Sequence, residues 1–222
     1  MGFQAINGKS YVVFPENSRS HNMMFFVAEI RKRNLSNKDI EPYIDSIIND
    51  YSVKRENIIG KFNIQSMGQE LFSNKIKKFG ETKGYKKTFM KSVNNLVYKE
   101  KKDDEYTIDK LIRLQLLDNL ENMNIGGLLE NEKEIVIILD NYRPHHNTEF
   151  TKFCNLLKIK LIYLPSYTPQ YNPIEQVWKS IKRIIYDPTI TDCQKLIEIF
   201  EKEYYKIIYN ESFFEKWIEK FL

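Results

Sequence analysis

Glu134-Ile135-Val136-Ile137-Ile138-Leu139-Asp140-Asn141 is the stretch on which the fold turns. Five consecutive apolar residues, four of them β-branched, end on a carboxylate. A strand buried on both faces has this composition, which predicts a central strand of an α/β sheet. Downstream, Phe150, Phe153, Cys154 and Leu157 fall on one face of a helix predicted from about Asn147 to Leu157. Ile159 to Leu164 reads as another strand. Strand, helix and strand with short joints form a βαβ unit and a parallel pair. Pro165 to Pro173 is a loop with three prolines. Helices follow from Pro173 to about Tyr186 and from about Asp192 to Tyr209, and Phe213 to Ile218 reads as a final amphipathic turn or two.

Upstream, Gly2–Ile6 and Ser10–Phe14 flank Asn7-Gly8, a strong hairpin signal, and Pro15 ends the second strand. Ser18 to Ser20 offer N-caps for a helix from about Asn22 to Arg33, with Phe25, Phe26, Ile30 and Arg33 on one face. Between Asn34 and Glu132 the texture changes to helical patterns at Ile40–Tyr51, Gly68–Phe79, Tyr85–Val97 and Tyr106–Met123. In the last, Ile108, Leu111, Ile112, Leu116 and Leu120 make a stripe that reads as helical core, with an oligomer seam as the alternative.

With 42% hydrophobic residues the 222-residue chain is no disordered polymer. No apolar run reaches the ~20 residues that span a bilayer, and the start lacks the pattern of a signal peptide. Two cysteines, Cys154 and Cys193, make no disulfide framework and suit a reduced, cytoplasmic setting. They also lack the second ligand pair of a zinc site. Gly60-Lys61 is not preceded by a phosphate-loop glycine pattern, which argues against an NTPase. The net charge of +4 is only mildly basic, but its distribution is uneven. Lys75 to Lys102 holds ten lysines against Glu81 and Glu100 and includes Tyr85, Phe89 and Tyr98. That segment is either a DNA-backbone contact or an ordinary solvated face.

Two acids stand where chemistry is expected. Asp140 ends the apolar strand, and open α/β sheets place ligand sites at the carboxyl ends of strands. A metal ligand, a turn cap and an arginine partner all fit that position. Glu175 lies in the first turn of a helix opened by Asn172 and Pro173, where the helix dipole favours an acid. Lys179 and Lys182 share its face. A metal ligand beside phosphate contacts and a plain i,i+4 ion pair explain the pattern equally.

Ile138-Leu139-Asp140-Asn141 with His145, followed by Leu164-Pro165-x-Tyr167-Thr168-Pro169-x-x-Asn172-Pro173-Ile174-Glu175-x-x-Trp178-x-x-x-Lys182, resembles the DDE transposases of the mariner superfamily and their prokaryotic insertion-sequence relatives. Thirty-four residues separate Asp140 from Glu175, as in many members. Ser166 and Tyr171 replace the more usual Pro and Leu, and Thr168 replaces Ser. The resemblance covers about 1–34 and 134–222. It implies an RNase H-like mixed sheet flanked by helices. It implies that 1–33 begins the catalytic domain, that 34–133 is a mostly helical insertion, and that 134–222 completes the domain.

The resemblance further implies metal-dependent DNA cleavage and strand transfer, that is, DNA transposition and integration. The expected cofactor is Mg²⁺ or Mn²⁺, and the expected partners are transposon-end and target DNA and a second copy of the chain in a homodimer, with no membrane. Asp140 and Glu175 carry over as two of three metal-binding catalytic carboxylates. Asn141, His145, Lys179, Lys182 and Arg183 are the candidate DNA contacts. The family's first Asp lies on a strand just ahead of the hairpin that begins here at Gly2. The expectation is therefore an N-terminally truncated domain lacking its first strand and one carboxylate, with a DNA-binding but inactive remnant as the alternative. Glu149, nine residues after Asp140 in the following helix, is a weak candidate to approach the site in place of the missing acid.

Overall fold

A computed structural model of the chain describes residues 1–3, 5, 8–15, 19–50, 57, 105–186 and 192–210. The expected helices at 68–79 and 85–97, the lysine-rich run at 75–102 and the tail at 213–218 lie outside the described residues.

The architecture is helix-rich α/β. Strands β1 (Gly2–Phe3) and β2 (Tyr11–Val12) pair antiparallel, Gly2 opposite Val12. This is the predicted hairpin, with shorter strands. Helix α1 (Ser20–Arg33) follows, beginning two residues earlier than expected. Its N-cap position is Arg19, and no side chain caps it. The expected cap Ser20 is the first helical residue and donates its hydroxyl to the Pro144 carbonyl instead (3.1 Å). A 3₁₀ turn at Lys38–Ile40 leads into α2 (Glu41–Ile48).

Helix α3 (Glu105–Asn122) and the short α4 (Ile125–Leu128) precede β3 (Ile135–Leu139). Leu111, Ile112, Leu116 and Leu120 of the predicted stripe are all buried, as are Leu114 and Leu117. Among the described residues α3 packs against α1, α2 and the following helix α5, and the stripe is core. Helix α5 (Thr148–Leu156) is capped by Asn147, whose Oδ1 accepts the Phe150 N–H at 2.6 Å. Lys158, at φ 57°, turns the chain into β4 (Ile159–Tyr163). β3 and β4 pair parallel in register from Ile135–Ile159 to Leu139–Tyr163, giving the expected βαβ unit.

One expectation for β3 fails. Ile137 and Leu139 are buried under the helices, but Val136 and Ile138 are 48% and 50% exposed, and Ile162 beside them is also exposed. The strand is covered on one face only among the described residues. An unbroken apolar run records what each face tolerates, not how many layers cover it.

Helices α6 (Pro173–Ile185) and α7 (Cys193–Ile208) form a second cluster. Val177 and Ile181 of α6 pack with Tyr204 and Ile208 of α7 and Val12 of β2. Asp192 caps α7 by accepting the Gln194 N–H at 2.9 Å. Among the described residues, no helix is long and apolar enough to cross a membrane.

Candidate active site

The parallel register places the ends of β3 and β4 side by side. Leu164 N–H donates to the Leu139 carbonyl at 2.8 Å, so the 140–147 and 164–172 segments leave the sheet as neighbours at its carboxyl end. The Asn141 side-chain amide donates to the Leu164 carbonyl and ties the two loops together.

Asp140 opens the first loop with its side chain 55% exposed. Its Oδ1 accepts the Tyr142 N–H at 3.1 Å and lies 3.2 Å from His145 Nδ1. That same nitrogen is 3.2 Å from the Asp140 carbonyl. Two acceptor oxygens at Nδ1 select the tautomer that carries its proton there. His145 is buried in a 3₁₀ turn, Arg143–His146, its ring near Phe150 and edge-on to Tyr142. Burial lowers its pKa below the ordinary histidine value, against the opposing hydrogen bonds and charge of Asp140. The ring is therefore a neutral donor at pH 7 that fixes the carboxylate. Tyr163 Oη donates to the His145 carbonyl at 2.8 Å, and His146 stacks on the Tyr163 ring at 4.4 Å. With Ser20 on the Pro144 carbonyl, the loop is held from β4 and from α1.

Glu175 stands half-buried in the first turn of α6, its backbone N–H donating to the Asn172 carbonyl at 3.1 Å. Asn172 takes the N-cap position, but its side chain makes no cap bond. Among the described residues Glu175 forms no ion pair with Lys179, so the plain i,i+4 bridge is not what holds it. Lys179, Lys182 and Arg183 are exposed. Trp178 packs on Phe200 and Tyr204 of α7, with centroids at 5.5 and 5.8 Å, and serves the α6–α7 core.

Glu149 is engaged elsewhere: Arg113 donates to it at 2.9 Å, with Lys110 3.7 Å away. Asp39 sits in the 3₁₀ turn after α1. The carboxylate donors suit a hard divalent cation. Among the described residues, however, no group of three or more His, Cys, Asp or Glu side chains converges to hold one. A magnesium ion held by one or two carboxylates would take its remaining oxygens from water and substrate phosphates.

Sequence reading missed three polar anchors that build the frame behind this site. Arg31 donates to the carbonyls of Lys133, Leu157 and Lys158. Glu132 accepts the backbone N–H groups of Ser36 and Asn37. His21, Asp109, Arg113 and Glu149 form a chain joining α1, α3 and α5. Apart from the i,i+4 pair Asp109–Arg113, their partners come from distant parts of the sequence, and no local spacing signals them.

No curated relative and no solved structure matches the chain. Residues 115–197, from within α3 through Asp140 and Glu175 to the first turns of α7, match the family described as DDE superfamily endonuclease, and this stretch is accordingly similar to a DDE-type endonuclease and transposase domain.

Proposed function

We propose that the chain carries the catalytic region of a DNA transposase of the mariner type, on an RNase H-like frame, which cuts and joins DNA strands with Mg²⁺ or Mn²⁺. The observation that carries this reading is that the family match over 115–197 includes both Asp140, at the carboxyl end of a parallel strand pair, and Glu175. Asp140 and Glu175 are the metal-binding carboxylates. When bound, such a cation supplies Lewis-acid activation of the attacking hydroxyl and stabilisation of the leaving oxygen. His145 acts on Asp140, fixing its rotamer through Nδ1, and is a positioning residue. Asn141 holds the two loops together. Lys179, Lys182 and Arg183 meet phosphates, a contact that salt weakens. A second copy of the chain completes a homodimer on DNA.

A second reading, DNA binding without cutting, is favoured by the lack, among the described residues, of any group of three or more His, Cys, Asp or Glu side chains placed to hold a cation. One assay separates the two. The purified chain is incubated with supercoiled plasmid and Mn²⁺, beside Asp140→Ala, and nicking and binding are measured together. The first reading expects nicking that the substitution abolishes while DNA binding persists. Binding without nicking by the native chain establishes the second. Nicking undiminished in the variant would remove Asp140 from the site.

A further inference from the structure

The loop between β4 and α6 keeps one side chain wholly outside the fold. Tyr167 is 99% exposed, so its ring buries nothing within the chain. Its φ of 62° is left-handed, a region that glycine enters freely and a residue with a Cβ enters at a cost. It takes the third position of the turn 165–168, which Thr168 Oγ1 closes by donating to the Pro165 carbonyl at 2.6 Å. A positive φ at that position ordinarily calls for glycine or asparagine. Tyr171 N–H donates to the Thr168 carbonyl at 3.1 Å and fixes the far side. A large ring held in strained backbone with no burial in return points to a task outside the fold.

The surroundings narrow that task. The base of the loop, Leu164, is tied to Asn141 beside Asp140. Tyr142 and Tyr171 rise from the same two loops and are each about half exposed. Tyr167 thus projects, beside the partly exposed rings of Tyr142 and Tyr171, from the loops that leave the carboxyl end of the β3–β4 pair. An unpaired nucleobase has a broad π face that stacks on such rings whatever its sequence. A strand end that is being cut or joined presents such bases. We propose that Tyr167 is a nucleobase-stacking residue, holding an unpaired base next to the strand end that Asp140 serves. This rests on Asp140 belonging to a DNA-processing site.

The test is run in EDTA, so that binding is read without cleavage. Fluorescence anisotropy measures the affinity of the full chain for a labelled oligothymidine of about 12 nucleotides and for a duplex of the same length. Tyr167→Ala is expected to weaken single-strand binding about five- to a hundredfold and to change duplex binding far less. Tyr167→Phe keeps the ring and the native affinity. Tyr167→Gly binds like Tyr167→Ala yet melts no lower than the native chain, because glycine relieves the left-handed strain; this separates lost stacking from lost folding. Unchanged single-strand affinity in Tyr167→Ala overturns the proposal. So do equal losses on both DNAs, a Phe variant as weak as the Ala variant, and a native chain that does not bind single strands. Nicking that ignores Asp140 would instead sink the reading of the site and leave this binding result standing.

Discussion

Arg31 is completely buried, and its three donor nitrogens are spent on main-chain carbonyls: Nε on Leu157 at 2.7 Å, Nη1 on Lys133 at 2.9 Å and Nη2 on Lys158 at 2.6 Å. These carbonyls flank β3 and β4 at their entry ends, so one guanidinium sets where both strands of the parallel pair begin. Burial pulls its pKa down to about 10, against the charges of Glu132 and Glu134, and it remains a cation at pH 7. Arg31→Met fills the space but takes the guanidinium donor from the Leu157 and Lys133 carbonyls and leaves the Lys158 carbonyl with the Ile135 N–H alone. Each orphaned group costs about 1–3 kcal/mol, so a loss of about 2 kcal/mol or more is expected. Arg31→Lys recovers only part, because an ammonium cannot reproduce the planar fork. Urea denaturation reads both, through a lower midpoint at unchanged slope. A native midpoint for Arg31→Met would mean that the three bonds contribute nothing net. In sequence this residue is one of three consecutive basic residues closing a helix, Arg31-Lys32-Arg33, and local reading gives all three the same role at the helix dipole. Only the tertiary fold separates the buried one, while Arg33 lies over the Tyr11 ring at 4.1 Å.

Helices α1, α3 and α5 are joined by charge as well as by apolar packing. The His21 ring and backbone N–H both reach Asp109 Oδ1, at 2.7 and 3.1 Å. Arg113 lies 3.1 Å from Asp109 Oδ2 through a nitrogen too misaligned for a hydrogen bond, and it donates to Glu149 through another. Burial alone would raise the Asp109 carboxyl, but His21 and Arg113 outweigh it and hold the pKa below the ordinary carboxylate value. The unfolded value lies near ~3.9, so the stabilisation is fully present above that pH and is lost as pH falls through the lower folded pKa. Asp109→Asn is expected to lower stability at pH 7 and to flatten the fall in stability below about pH 4. Glu132, also held low by Ser36 and Asn37 against its burial, acts in the same window, so the slope is reduced rather than abolished. Chemical denaturation across pH measures this, and a variant whose curve parallels the native one would show that Asp109 is not the linked group. The helices themselves were legible from apolar spacing: α3 ends within a residue of expectation, and α5 and α7 begin after the caps Asn147 and Asp192. Their mutual polar contacts were not legible, because residues 88 positions apart carry no common period.

At the scale of the whole molecule, the described residues form two apolar clusters, one around α1, α3, α5 and the β3–β4 pair, the other around α6 and α7. The proposed site would take Asp140 from the end of β3, beside the first, and Glu175 from α6, in the second. The motif residues that carry the resemblance are local in sequence and were readable. How the clusters meet was not, because it depends on contacts between the hairpin at the chain's start and a helix far downstream. Val12 belongs to the second cluster, while its neighbour Tyr11 packs against the first, stacked on Phe26 at 5.7 Å. One tight joint is Gly2 against Trp178. A Cβ built on Gly2 would lie 2.2 Å from Cη2 of the indole, well inside van der Waals contact. Gly2→Ala must therefore push the ring off the hairpin, and overpacking of this kind costs about 1–3 kcal/mol. Trp178→Leu removes the obstructing ring at its own cost of lost burial. If the hairpin and α6 meet as described, Gly2→Ala costs much less in the Trp178→Leu background, and the double-mutant cycle returns a coupling of about 1 kcal/mol or more. Thermal melts of the four proteins measure it. Strict additivity would mean that Gly2 and Trp178 do not touch, and that the hairpin does not set the position of the helix that carries Glu175.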